Sequence, residues 1–164
     1  MTAANAVTLA RIALIPLNIY FLYANRPLWA AGLFLLISLT DALDGYIARR
    51  YKQTSDLGKL IDPLADKILV ISMLIALIDV RLAPAVPVII IAARDFAVSG
   101  LRMDKARKGK VIVASPWGKI KTVSQVVAVL MLILGLPFAV TVLYLAALMT
   151  IVSGLEYFIK WAKK

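Results

Sequence analysis

Five of the nine acidic residues in this 164-residue chain, Asp41, Asp44, Asp56, Asp62 and Asp66, fall within 26 positions, and their spacing carries chemistry. Asp41 and Asp44 are three apart and Asp62 and Asp66 four apart, so on helices each pair projects from one face. Four carboxylates close together in a low dielectric repel and take up protons unless cations hold them. The chain has no His and no Cys, so a ligand set would be oxygen alone, which suits hard divalent ions, Mg2+ or Mn2+. Thiolate chemistry is excluded, and acid–base work falls to carboxylates, Lys or Tyr. Asp56 stands outside both pairs and is expected in a solvated loop. Asp62, followed by Pro63, also reads as a helix N-cap with proline at the first helical position.

The composition says what must position these residues. At 62% hydrophobic the chain exceeds the roughly 45–50% of soluble domains, which excludes a soluble globule. The net charge of +10 would suit nucleic acid or an anionic lipid surface; the hydropathy decides for the membrane, with no nucleic-acid partner expected. The uncharged run 122–155 holds 34 residues, too many for one crossing at ~20 per span, and Gly135-Leu136-Pro137 marks a turn within it. The expected fold is therefore an all-α membrane protein, one domain over residues 1–164. Its six transmembrane helices are expected near 7–23, 28–50, 60–78, 82–101, 119–136 and 138–160.

With both termini on one side, that side carries seventeen of the 19 Lys and Arg residues, and the other only Arg26 and Arg81. This asymmetry places both termini and the loops 49–60 and 102–121 in the cytoplasm. Residues 1–11 lack the pattern of a cleaved secretory signal, so the first apolar segment is expected to be retained. Asp41 lies 13 residues beyond Leu28, Asp66 lies 12 before Ile78 and Arg94 lies 12 after Leu82, each ~18–20 Å from the outer end at 1.5 Å per residue. Ionisable groups on three helices at one level imply a polar cavity opening to the cytoplasm.

In order, the residues read Asp41-x2-Asp44-Gly45-x2-Ala48-Arg49-x8-Gly58-x3-Asp62-x3-Asp66. This resembles the signature of the CDP-alcohol phosphotransferases, membrane enzymes that join an alcohol to a phosphate of a CDP-activated partner and release CMP. Eight fixed positions at roughly 5–8% usage each match a given site by chance on the order of 10⁻⁹, so the resemblance is specific. It implies six transmembrane helices, a homodimer, and two divalent ions held by Asp41, Asp44, Asp62 and Asp66. It also implies Asp66 as general base on the acceptor hydroxyl. Gly45, Arg49 and Ser55 match positions that contact the CDP moiety, and Gly45, Ala48 and Gly58 keep its pocket open.

Residues 94–102, residues 117–122 and the opening Asn5-x2-Thr8-x2-Arg11 resemble segments of the bacterial phosphatidylglycerophosphate synthases within that family. In that group the fourth-helix segment usually reads Arg-Glu where this chain has Arg94-Asp95, and a proline stands where this chain has Ala4. The resemblance implies transfer from CDP-diacylglycerol to sn-glycerol 3-phosphate at the bacterial plasma membrane, with the site facing the cytoplasm. Asn5 and Thr8 join the CDP-lipid set, and Arg94, Arg102, Lys119 and Lys121 are expected to hold the acceptor phosphate.

Lys105, Arg107, Lys108 and Lys110 read as anchors to anionic lipid, and Trp29, Trp117, Trp161 and the tyrosines near helix ends as an interfacial belt. Two other readings stand beside the leading one. The first keeps the donor and changes the acceptor to inositol phosphate or serine. The second is a cation transporter, which would need polar groups across the full thickness, whereas here the charges stop at one depth.

Overall fold

The computed structural model describes residues 3–51, 56–107 and 116–162, with side chains described for 10–40, 67–101, 103 and 117–159. The described residues form six helices and no strand: α1 Ala3–Tyr23, α2 Pro27–Tyr51, α3 Asp56–Asp79, α4 Ala85–Arg107, α5 Pro116–Ile133 and α6 Ala139–Ala162. Number and order agree with the expectation, and the ends differ for local reasons. Pro27 and Pro116 open α2 and α5, where a missing N–H costs nothing. Residues 82–84, expected at the start of α4, belong to the turn instead, so Arg94 stands only ~14 Å along that helix.

The turns after α1, α3 and α5 share one construction. Asn25, Arg81 and Gly135 take left-handed φ of 54°, 60° and 63°. After each, a backbone N–H reaches back five residues: Arg26 to the Phe21 carbonyl at 2.9 Å, Leu82 to Leu77 at 2.8 Å and Leu136 to Met131 at 2.9 Å. This Schellman closure satisfies carbonyls that a helix end would leave bare, which lipid would make costly. It explains why α5 stops at Ile133 and not at Leu136 as expected: Gly135 turns the chain.

Helix contacts run in the order α1, α2, α5, α6, α4, α3 and back to α1, with α3 and α5 also touching across the middle. The bundle is thus two four-helix rings with a shared wall. One comprises α1, α2, α3 and α5; the other comprises α3, α4, α5 and α6.

Among the residues whose side chains are described, the apolar core draws on all six helices, in their halves next to the tight turns. Phe34, Met73, Leu74, Leu77, Ile91 and Leu143 are its largest fully buried members, with Ala30, Ala31, Ala128, Ala146 and Ala147 between them. Small residues let backbones approach, so dispersion holds the helices where lipid offers no hydrophobic drive. Large apolar side chains also cover the outside, among them Leu28, Leu36, Ile75, Ile89, Val123 and Leu155. Among the described residues one helical stretch, Ala139–Ile159, is long and apolar enough by itself to cross a membrane, and Ala10–Tyr23 and Pro27–Thr40 are shorter apolar stretches.

Candidate functional site

The signature residues lie on the ring that α1 completes. Asp41, Asp44, Gly45, Ala48 and Arg49 belong to α2, Gly58, Asp62 and Asp66 to α3, and Asn5 and Thr8 to α1, which packs on both α2 and α3. Their side chains lie outside the described residues, as does that of Arg102 on α4, and Ser55 lies outside them altogether.

The helix assignment corrects two expectations. Asp56, expected in a loop, is the first residue of α3, where a carboxylate favours the positive end of the helix dipole. Asp62 is therefore interior to α3 and cannot be its N-cap, and the pair Asp62 and Asp66 stays on one continuous helix.

The second ring contains a buried polar cluster. Asp95 on α4 is 3% exposed and Lys121 on α5 is 6% exposed, and the lysine Nζ donates to Asp95 Oδ2 at 2.5 Å. Arg94 Nη1 donates to Asp95 Oδ1 at 3.3 Å, so each carboxylate oxygen takes one cation. Arg94 also donates through Nη2 to Ser153 Oγ on α6, and its guanidinium lies over the Tyr157 ring, 5.8 Å from the centroid. A Cβ on Gly154 would stand 3.0 Å from Arg94 Cγ and Nε, so glycine makes room for this side chain.

Ser99 Oγ donates to the Asp95 carbonyl at 2.6 Å and accepts from Lys67 Nζ, tying α4 to α3. Deeper in the ring Gln125 Nε2 donates to Thr150 Oγ1 at 3.2 Å. Buried charges persist in such surroundings only when paired and hydrogen-bonded, and here two cations share one carboxylate.

Of the four cations expected at the acceptor phosphate, the structure brings two together. Arg94 and Lys121 meet at Asp95, while Lys119 is exposed. Two positions along a helix is a turn of ~200°, so Lys119 and Lys121 face opposite ways. Sequence reasoning missed the α6 contribution. Thr150, Ser153, Gly154 and Tyr157 form a stripe at helical spacing in a helix that is apolar for most of its length, and that spacing was the available signal. Tyr157, expected in the interfacial belt, is 4% exposed beneath Arg94; Trp29 and Trp117 are exposed as expected. Arg11 on α1 is also buried, on the helix that faces both aspartate-bearing helices. Among the described residues no group of three or more His, Cys, Asp or Glu side chains could hold a metal.

A family model described as CDP-alcohol phosphatidyltransferase matches residues 1–152. The chain belongs to the CDP-alcohol phosphatidyltransferase family. It is 43% identical to a Bacillus subtilis protein named CDP-diacylglycerol--glycerol-3-phosphate 3-phosphatidyltransferase, over 95% of this chain and 93% of that one. A Rickettsia bellii protein of the same name is 40% identical over 94% and 92%. A Mycobacterium tuberculosis protein named probable phosphatidylglycerophosphate synthase is 35% identical over 94% of this chain and 78% of that one. The CDP-alcohol phosphatidyltransferase match ends at residue 152, just before Ser153, Gly154 and Tyr157, the residues that seat Arg94.

Proposed function

We propose that the chain transfers the phosphatidyl group of CDP-diacylglycerol to sn-glycerol 3-phosphate, giving phosphatidylglycerophosphate and CMP. The names of its relatives at 34–43% identity support this reaction. The observation that carries the acceptor is the cluster in the second ring. Arg94 and Lys121 form a cationic pair on Asp95, and Lys67, next in sequence to Asp66, reaches the same cluster through Ser99. An acceptor whose phosphate sits on Arg94 and Lys121 lies beside the shared wall that bears Asp66.

Asp66 takes the proton from the acceptor hydroxyl as the oxygen attacks the phosphatidyl phosphorus. The new P–O bond forms as the pyrophosphate bridge breaks, and CMP leaves. Arg49 and Ser55 bind the CDP moiety, Asn5 and Thr8 join them, and Gly45, Ala48 and Gly58 leave room for the nucleotide. Four carboxylates on two helices that share α1 as neighbour are a donor set fitted to two hard divalent ions, Mg2+ or Mn2+. When bound at Asp41, Asp44, Asp62 and Asp66, such ions supply charge neutralisation at the pyrophosphate and the departing CMP. Arg102 adds to the acceptor side, and exposed Lys119 steers anions towards it from solution.

The chain acts as one catalytic domain over residues 1–164, in a homodimer. Its six helices cross the bacterial plasma membrane with both termini and the site on the cytoplasmic side. The apolar exterior and the charge asymmetry between the two ends support this placement. CMP release from CDP-diacylglycerol, measured with a panel of acceptors, tests the reading. Turnover is expected with glycerol 3-phosphate, lost on chelation and restored by Mg2+ or Mn2+. Asp66→Asn should abolish turnover while CDP-diacylglycerol still binds. Turnover with serine or inositol phosphate alone overturns the acceptor and leaves the aspartate roles standing.

A further inference from the structure

Arg94 and Lys121 come from different helices, and nothing in either helix fixes the distance between their charges. A third residue does so. We propose that Asp95 is a positioning residue of the acceptor site, the group that sets Arg94 and Lys121 at the spacing at which both close on one phosphate; this rests on the phosphatidyl-transfer reading above.

Three observations support the assignment. The first is the division of labour on the carboxylate: Oδ1 accepts from Arg94 at 3.3 Å and Oδ2 from Lys121 at 2.5 Å. The two oxygens of a carboxylate and two oxygens of a phosphate have nearly the same spacing, so cations set by one are set for the other. The second is that Arg94 and Asp95 itself are held from elsewhere as well. Arg94 is fixed at its far side by Ser153 and by the Tyr157 ring, and the backbone of Asp95 is tied through Ser99 to Lys67 on α3. A carboxylate locked from three helices is a ruler, not a surface counter-charge.

The third observation is what the cluster leaves unused. Two cations against one carboxylate leave one positive charge, and the buried Nε–H of Arg94 has no acceptor among the described residues. Lys121 has three ammonium hydrogens and spends one on Asp95. An arriving phosphate finds a surplus charge and open donors in a place too dry to screen them. Without Asp95 the two cations repel and separate, and the phosphate meets them one at a time. Acceptor binding then suffers, and the donor nucleotide, held in the other ring, does not.

The test is a steady-state comparison of Asp95→Asn and Asp95→Glu with the wild type, in the full chain in detergent micelles. Asn removes the charge and one of the two acceptor oxygens. The KM for glycerol 3-phosphate should rise roughly tenfold or more, with kcat and the KM for CDP-diacylglycerol little changed. Glu keeps both oxygens on a stem one methylene longer and should restore the acceptor KM to within about threefold of wild type. An unchanged or lowered acceptor KM in Asp95→Asn overturns the proposal. If Asp95→Asn does not fold, Asp95→Glu decides alone: a shift confined to the acceptor KM supports the assignment, and an equal rise in both KM values overturns it. Wild-type protein that turns over with no phosphorylated acceptor overturns the parent reading and this proposal together, whereas wild-type turnover with an indifferent Asp95→Asn overturns this proposal alone.

Discussion

The two ends of the bundle are built from different materials. Next to the tight turns Phe34, Met73, Leu74, Leu77, Ile91, Val129 and Leu143 are wholly buried and hold the helices by shape. Towards the other end the buried residues include Arg11, Asp95, Ser99, Lys121, Gln125, Thr150 and Ser153. Polar groups in such surroundings cost free energy that dispersion does not return, so a fold needing only stability would make both ends alike. The contrast teaches that apolar packing and buried charge are divided along the helices: one end holds the bundle together by shape, and the other keeps buried charges at fixed positions, where the proposed acceptor site lies.

The division can be broken first at its most costly point. Asp95→Leu leaves Arg94 and Lys121 with no carboxylate between them and should destabilise the protein by roughly 3–5 kcal/mol, read as a lower thermal midpoint in micelles. The double variant Asp95→Leu/Lys121→Met removes one of the two stranded cations and should recover part of that loss while remaining poor with glycerol 3-phosphate. If Asp95→Leu melts with the wild type, the cluster carries no buried charge and the contrast between the ends is weaker than described.

A smaller effect belongs to the opposite end. Gly135 has φ +63° with open space where a Cβ would go, so Gly135→Ala meets backbone strain and no clash. It should cost about 1–2 kcal/mol of stability and leave both KM values at the wild-type level. A selective rise in the acceptor KM would show that the turn end reaches into the chemistry.

The smallest effect sharpens the comparison by its sign. Asn18 on α1 is fully buried in the apolar half, and neither its Oδ1 nor its Nδ2 has a partner among the described residues. Asn18→Leu should raise stability by about 1 kcal/mol, because an unsatisfied amide is exchanged for an apolar group of similar size. Lower stability would mean that the amide is satisfied in the bilayer.

Much of this architecture was legible in advance, and what was not had physical reasons. Six helices follow from uncharged runs and one Gly-Leu-Pro break, because lipid forces nearly every backbone group into a helix. Helix ends were legible after α1 and α3, which stop at Tyr23 and Asp79 against an expected 23 and 78, and less so where an apolar run continues through the turn, at residues 82–84 before α4 and at Gly135 after α5. The aspartate signature could be read because its members are close in sequence. The partnership of Asp95 with Lys121 joins residues 26 positions apart on different helices, and no local spacing announces it. Lys119 and Lys121 looked alike as charges, and only the helical period separates the exposed one from the buried one. The stripe on α6 went unread because none of its members is charged.

The three Schellman turns bear on how the chain is made. Each joins consecutive helices through a few residues, carrying Arg26, Arg81 or no charge at all. If all six helices span the bilayer as proposed, these turns define three helical hairpins, α1 with α2, α3 with α4 and α5 with α6, that a nascent chain inserts with at most one charge on each turn to carry across. In that topology the charged segments between hairpins stay on the cytoplasmic side. Each four-helix ring takes helices from more than one hairpin, so neither can form until hairpins already in the membrane dock. In the proposed topology biosynthesis delivers pairs of helices, and the two rings, with the site proposed on them, form only as the hairpins associate.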